Sequence, residues 1–377
     1  MRIAIDGKRY YLNSSGLGRY SRSLVDNLLR LKDAEDLDIC LYRPKGEVKF
    51  QPKTHPRLTE LTAEYLIPGH IGNAFWRFTK LSALINSGSY DLFHGPSHVL
   101  PGRMDCPSVV TMLDLIFMRY PRYFRAWDRN YYRISFNRSA RLADHIISIS
   151  EATKADLVNL FGIREEKISV IYPGFDDFFT RLPRNRLDEI RKKYELPRDY
   201  VLYVGNIEPR KNVLELAQAF NSMRESSAID KDVHLLIVGQ KGWFYKDIFD
   251  GIDALPCRKQ IRLVGPVYGE DLAGVYQLAR VMAYPSMFEG FGYPVLEAMR
   301  QGTPVLTSGI SSMPEAGGDA AHYVNPESLD DIASGLCRIL NDESYRQELI
   351  EKGTRHAEGF TAEKMAKETL EVYKKLA

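Results

Sequence analysis

Short apolar runs alternate with helical periodicity along this 377-residue chain, and the alternation is run through twice. The first series is Arg2–Ile5, Asp38–Tyr42, Asp91–His94, Ser108–Thr111, His145–Ile149 and Ile168–Ile171. The second is Tyr200–Gly205, Val233–Gly239, Ile261–Gly265, Val281–Tyr284 and Pro304–Thr307. Helical spacing fills Gly16–Leu31, Asn212–Met223, Leu272–Leu278 and Pro294–Arg300. Such alternation dictates parallel sheets covered by helices. Uninterrupted apolar strands are what a sheet buried on both faces requires.

The expectation is an α/β chain of two Rossmann-like domains whose parallel sheets face each other across a cleft. The first domain is expected over residues 1–175 and the second over 200–360. Residues 176–199, polar with two prolines, read as the linker. Residues 361–377 read as a helix capped by Thr361, returning to the N-terminal domain, with Ala362, Met365, Ala366, Leu370 and Tyr373 on one face.

Net charge is +2, which offers no basis for a nucleic-acid partner. Its distribution is uneven: 25 basic and 18 acidic residues through Pro173, then 26 basic and 31 acidic. A basic first half suits anionic partners such as lipid headgroups or phosphorylated substrates, or is ordinary surface variation. Cys40, Cys106, Cys257 and Cys337 form neither a CxxC pair nor a zinc spacing, which fits a reducing compartment. No apolar run approaches the roughly 20 residues that span a bilayer. A cytoplasmic protein is expected, with any membrane contact peripheral and on the inner face.

Three strand-to-helix junctions carry chemistry. Phe288-Glu289-Gly290-Phe291-Gly292-Tyr293-Pro294-Val295-Leu296-Glu297 follows a strand and opens a helix. Its glycines let backbone N–H groups approach a ligand, and the helix N-terminus adds a positive field. Glu289 and Glu297 beside that anion site suit a sugar nucleotide, one gripping the sugar and the other the ribose; the bland reading is a glycine-rich turn with a capping glutamate. Gly205-Asn206-Ile207-Glu208-Pro209-Arg210-Lys211-Asn212 puts two fixed cations where a departing diphosphate needs them, or is a solvated pair. Gly16-Leu17-Gly18-Arg19-Tyr20 is the third, weak singly. Their coincidence matters, because ligands of open α/β sheets bind outside the carboxyl ends of the strands. The glycines at 16 and 18 lack the third of G-x-G-x-x-G, which disfavours a dehydrogenase.

The chain resembles retaining glycosyltransferases of the GT-B fold, group 1 or family 4. GLGRY at 16–20, HGPSHVLP at 94–101, VVTMLDL at 109–115, SISEATKADL at 148–157, VIYPGFD at 170–176, GNIEPRKN at 205–212, LVGPV at 263–267 and YPSMFEGFGYPVLEAM at 284–299 fall in family order. The last matches the family's E-x7-E motif, its most specific feature. The resemblance implies that Arg210 and Lys211 hold the diphosphate, and that Glu289 with the backbone of Gly290, Phe291 and Gly292 holds sugar hydroxyls. It implies Glu297 for the ribose and Gly265, Pro266 and Val267 beside the base. Gly205, Val295 and Leu296 complete the donor set, and Gly16 and Gly18 would close over the phosphates from the other domain.

Where many relatives carry a His-Asp pair, this chain has Leu113-Asp114. Asp114 remains a catalytic candidate, and His94 and His98 are nearby substitutes for the missing imidazole. The expected donor is a UDP- or GDP-sugar of mannose or glucose type, and the acceptor a glycan or glycolipid of a cell-surface polysaccharide. No metal or cofactor is expected, because Arg210, Lys211 and helix dipoles would replace a cation. Retention would follow front-face attack, the leaving phosphate taking the acceptor's proton. The alternatives are a nucleotide-sugar epimerase on the same fold and a catalytically weak glycan-binding subunit, the latter motivated by Leu113.

Arg122, Arg125, Arg129 and Arg133 recur at helical spacing within 122–141, with Phe124, Trp127, Tyr131 and Ile134 on the opposing face. Such a helix either lies on an anionic membrane or packs its apolar stripe into the core.

Overall fold

The computed structural model describes residues 1–63, 76–175 and 180–377. It divides into two compact units, Met1–Phe175 with Phe360–Ala377, and Asp176–Gly359.

Among its described residues the first unit holds seven strands: β1 (Arg2–Asp6), β2 (Asp38–Pro44), β3 (Leu58–Ala63), β4 (Leu92–Gly95), β5 (Ser108–Met112), β6 (His145–Ser148) and β7 (Ile168–Val170). Their order is β3-β2-β1-β4-β5-β6-β7, every pair parallel. The second holds β8 (Asp199–Val204), β9 (Val233–Val238), β10 (Ile261–Gly265), β11 (Val281–Tyr284), β12 (Val305–Ser308) and β13 (Ala321–Val324). Their order is β10-β9-β8-β11-β12-β13, again all parallel. In each sheet the chain winds outward from its first strand and then returns to that strand's other side. The loops leaving β1 and β4, and those leaving β8 and β11, therefore part at the carboxyl edge, where doubly wound sheets bind ligands.

Two strands escape the sequence pattern. β3 and β13 lie at sheet edges, and an edge strand need not be apolar throughout; β3 reads Leu-Thr-Glu-Leu-Thr-Ala.

Residues expected as a linker are built into the second unit. Helix Arg184–Lys193 runs through them. Ile190 is fully buried, Leu182 N–H donates to Gln277 Oε1 at 2.8 Å, and Asp271 pairs with Arg186 at 3.1 Å and Lys193 at 2.5 Å. The segment looked like a linker because its polar surface hides a few apolar anchors, Leu182, Ile190 and Leu196.

The basic helix also differs from expectation. It spans Ala126–Leu142, so Arg122 lies in the preceding turn Pro121–Tyr123 and Arg125 is the N-cap. Its buried face is Ser135, Phe136, Ser139 and Ala140. Leu100 N–H donates to Ser139 Oγ at 3.0 Å, and Phe136 stacks on His98 at 4.3 Å. Trp127, Tyr131 and Ile134 face solvent, Trp127 at 88% exposure. Small residues at 135, 139 and 140 let the helix seat closely, which selects that face over the bulkier stripe.

Helix Ala362–Leu376 packs on the first unit with Met365, Ala366, Leu370 and Tyr373 buried, and the Thr361 hydroxyl accepts from Lys364 N–H at 3.1 Å. Tyr373 OH meets His94 Nδ1 at 2.6 Å. His94 Nε2 meets Thr111 Oγ1 at 2.9 Å, and Tyr20 OH lies 3.3 Å from the same oxygen. His94 is thus an interior strut.

Burial pulls His94 down to about 3; burial, then the Arg9 and Arg77 cations, do the same for His98. Both titrate at about 6.5 when unfolded. Between those values the unfolded chain binds more protons, so stability is full above about pH 6.5 and falls as pH drops toward 3. Urea midpoints between about pH 8 and pH 4 should show this loss, on the order of several kcal/mol at the acid end, and His94→Gln should flatten the slope relative to the wild type.

Candidate functional site

The loop after β11 approaches the loop after β8 at the switch point of the second sheet. Glu289 sits between them, and Oε1 of its carboxylate takes four donors. Arg210 Nη1 lies at 2.9 Å, Lys211 Nζ at 2.8 Å, Tyr284 OH at 2.8 Å and Ser286 Oγ at 3.0 Å. Lys211 Nζ also donates to Tyr284 OH. Arg210 Nη1 also donates to the Phe288 carbonyl at 3.0 Å, and its Nε is held by Glu208 at 3.1 Å.

Electrostatics follow from that crowding. Burial alone would raise the Glu289 carboxyl; Arg210, then Lys211, overcome it and bring the group to about 2. Burial lowers the Lys211 ammonium, and Glu289 offsets part of the drop. Burial, then the Glu289 charge, pushes the Tyr284 hydroxyl well above its ordinary range. Glu289 is a carboxylate and Tyr284 a neutral donor at neutral pH.

Backbone interactions fix the loop. Met287 N–H donates to the Arg210 carbonyl at 2.8 Å, joining the two loops. Ser311 and Ser312 hydroxyls donate to the Glu289 carbonyl at 2.8 and 2.9 Å, and Ser312 also to that of Phe291 at 3.0 Å. Gly292 has φ 113°, and a Cβ there would stand 2.5 Å from Met313 Cε, so glycine is required. From it runs helix Tyr293–Arg300 with Pro294 in its first turn and Val295 and Leu296 buried. Glu297 is 3% exposed, and its Oε2 accepts from Tyr276 OH at 2.8 Å.

Gly205, Arg210, Lys211, Pro266, Val267, Glu289, Gly290, Phe291, Gly292, Val295, Leu296 and Glu297 belong to the second unit; Gly16, Gly18 and Asp114 belong to the first. Gly205 follows β8, and Gly265–Val267 lead out of β10, in the sheet that carries Glu289. In the first unit, Asn13 Oδ1 accepts from Gly18 N–H at 3.1 Å and Ser15 N–H at 2.9 Å. A Cβ on Gly18 would collide with the Asn13 carbonyl. Gly18 therefore serves the turn into helix Gly16–Arg30, whereas open space surrounds Gly16. Asp114 Oδ1 accepts from Ile116 N–H at 3.3 Å, its own N–H donates to His98 Nε2 at 3.3 Å, and Leu113 is buried.

Sequence reasoning missed Tyr284, Ser286, Ser311, Ser312 and Tyr276. A tyrosine ending an apolar strand reads as core, and Tyr284 does stack on Tyr203 with ring centroids 5.8 Å apart. Serines in a turn read as turn formers. Among the described residues no group of three His, Cys, Asp or Glu could hold a metal ion.

Two parallel-sheet units of this kind are shared with solved glycosyltransferases of the GT-B fold. Residues 187–356 match the model of the glycosyl transferases group 1, and residues 14–177 that of glycosyltransferase family 4. The O-antigen chain mannosyltransferase B of Escherichia coli is 30% identical over 372 residues, 96% of each chain. Sucrose-phosphate synthase from Thermosynechococcus elongatus superposes with a TM-score of 0.79 at 21% identity, covering 100% of this chain and 99% of that one. Anabaena HepE in complex with UDP-glucose gives 0.74 at 16% identity, with 100% of both chains covered. The chain belongs to the group 1, family 4 glycosyltransferases.

Removing one member of the Glu289 network leaves the others buried and short of partners. Tyr284→Phe should cost about 1–3 kcal/mol for two lost partners. Glu289→Ala should cost more, about 3–5 kcal/mol, because it strands the Lys211 charge. Urea denaturation checks both; midpoints equal to the wild type would mean that the network does not hold the loops.

Proposed function

We propose that the chain is a retaining, metal-independent hexosyltransferase that moves a mannose- or glucose-type sugar from a UDP- or GDP-sugar to a glycan or glycolipid acceptor in cell-surface polysaccharide synthesis. The observation that carries the reading is the convergence of Arg210, Lys211 and Glu289 at the carboxyl edge between β8 and β11. Two fixed cations at a switch point suit a diphosphate. The mannosyltransferase relative supports a mannosyl donor and an O-antigen-type product. The UDP-glucose complex of a protein of the same fold supports a nucleotide sugar.

In this mechanism the diphosphate accepts from Arg210 and Lys211. The four protein donors crowd Oε1 of Glu289, and the second carboxylate oxygen takes sugar hydroxyls. Gly290 to Gly292 bring backbone N–H groups alongside, and Glu297 exchanges its Tyr276 hydroxyl for the ribose. As the anomeric C–O bond breaks, its electron pair moves to the β-phosphate oxygen, where the cations stabilise it. The acceptor oxygen bonds to the same face of the anomeric carbon, and its proton passes to that phosphate oxygen. Leu113, buried and apolar, contributes no hydrogen bond to the sugar.

Charge grows on the phosphate in the transition state, so the cations count for more there than in the ground state. Arg210→Ala and Lys211→Ala should each lower kcat about 10²–10³-fold at saturating donor. Arg210→Lys should also be impaired, because an ammonium lacks the planar fork. Rates within about twofold of the wild type, in folded variants, would place the donor phosphates elsewhere. The same assay in EDTA should keep full activity; loss restored by Mg²⁺ would overturn the metal-free mechanism.

Among the described residues no helix is long and apolar enough to cross a membrane. Solvent-facing Trp127, Tyr131 and Ile134 beside Arg125, Arg133 and Arg141 form a surface suited to an anionic bilayer, with aromatic rings at headgroup level. Trp127→Ala/Tyr131→Ala/Ile134→Ala should lose flotation with phosphatidylglycerol vesicles and keep turnover of a soluble acceptor. Equal flotation of the triple variant and the wild type would remove the membrane role from this helix.

A further inference from the structure

The carboxyl edge of the first sheet holds a second set of cations, at its own switch point between β1 and β4. β1 ends at Asp6, which is 2% exposed. Its Oδ1 accepts from Lys8 N–H at 3.0 Å, and its Oδ2 lies 2.7 Å from Arg77 Nε. Arg77 is itself 95% buried, at 5% exposure. Its Nε–H is not aligned on the Asp6 oxygen, and its Nη2 has no hydrogen-bond partner among the described residues. Arg9 Nε is likewise buried without one. Burial, then the Arg77 cation, pulls the Lys8 ammonium down to about 8, and the same two causes lower Arg9. His98, from the loop after β4, is buried nearby and within reach of the Arg9 and Arg77 charges.

Among the described residues Asp6 pairs with Arg77 and its charge also acts on Lys8 and Arg9, while two guanidinium groups keep buried N–H donors unpaired. Buried charge is tolerated when it is paired and hydrogen-bonded. The second sheet obeys this rule, with Glu208 and Glu289 set against Arg210 and Lys211. Among the described residues the first leaves positive charge uncompensated there, which an anion with several acceptor oxygens would balance.

We propose that Lys8, Arg9 and Arg77 form a phosphate-binding site in the first unit, separate from the diphosphate clamp of the second. Its neighbourhood indicates a source. Tyr131 and Tyr132 lie close enough to act on the Arg9 charge, and Tyr131 belongs to the solvent-facing apolar stripe with Trp127 and Ile134. A buried cation cluster beside an exposed apolar surface fits a phosphate carried on an apolar chain, presented by the acceptor. The acceptor assignment rests on the glycosyltransferase reading; the anion site does not.

Isothermal titration with inorganic phosphate tests the site, and hexyl phosphate tests the source. The Arg210→Ala/Lys211→Ala protein removes the other cation pair and serves as the background. There, phosphate should still bind, and adding Lys8→Gln/Arg9→Gln should weaken it at least tenfold. Arg77→Gln should do the same; if that buried change prevents folding, the partly buried Lys8 and Arg9 carry the test. Phosphate binding that vanishes in the background protein, or that persists unchanged without Lys8 and Arg9, overturns the proposal. Hexyl phosphate binding tighter than inorganic phosphate, and weakened by Trp127→Ala/Tyr131→Ala, points to a lipid-borne phosphate; equal affinities assign the site to free phosphate. Donor turnover of Lys8→Gln/Arg9→Gln with a phosphate-free acceptor should stay at the wild-type rate, which separates this site from the catalytic one.

Discussion

One oxygen of one carboxylate organises the second unit. Arg210 and Lys211 would repel each other, and the buried Lys211 charge would go uncompensated, if Glu289 did not pair with both. Glu289 in turn remains ionised in the interior only because those cations and the Tyr284 and Ser286 hydroxyls surround it. Each member makes the others tolerable, and a network of this kind is stable only when complete. Two loops that are distant in sequence are thereby locked together, with the Met287 N–H on the Arg210 carbonyl as the backbone counterpart. In the proposed mechanism a donor diphosphate would find these cations already in place, leaving little reorganisation for the moment of reaction.

Both units apply the same topological device and balance it differently. Each sheet reverses direction beside its first strand, and each reversal collects basic side chains at the carboxyl edge. In the second unit two carboxylates compensate two cations. In the first, among the described residues, Asp6 pairs with Arg77 and acts on the Lys8 and Arg9 charges. The surplus of basic residues before Pro173 is thus partly an interior property at a switch point. The remainder is displayed by helix Ala126–Leu142 and the turn before it, where arginines flank exposed aromatic residues.

The C-terminal helix shows how a distant segment completes a core. Tyr373 reaches His94, and through Thr111 the contact extends to Tyr20 on helix Gly16–Arg30. The strand that leads to Asp114 is therefore supported from the last turns of the chain. His94 and His98 are committed to packing, His98 stacked on Phe136, and both are held neutral by burial.

Eleven of the strands, their alternation with helices and the E-x7-E segment were legible in the sequence, because a strand buried on both faces must be apolar throughout and a phosphate loop must spare its side chains. β3 and β13 were not: as edge strands can, they mix polar residues, Thr59, Glu60 and Thr62 in one and His322 in the other, among their apolar ones. The glutamates and the Arg-Lys pair could be named from their junctions, but their mutual contact could not: it depends on β8 and β11 being neighbours, a pairing across some eighty residues. Tyr284 looked like core and became a donor for the same reason. The tertiary structure alone decided which stripe of helix Ala126–Leu142 faces inward, because Ser135, Ser139 and Ala140 permit close approach where Trp127 and Tyr131 do not. It also decided that residues 184–193 belong to a domain rather than a linker, since a single buried Ile190 anchors them. Periodicity determines which elements form; which faces meet is determined by the partners that packing supplies.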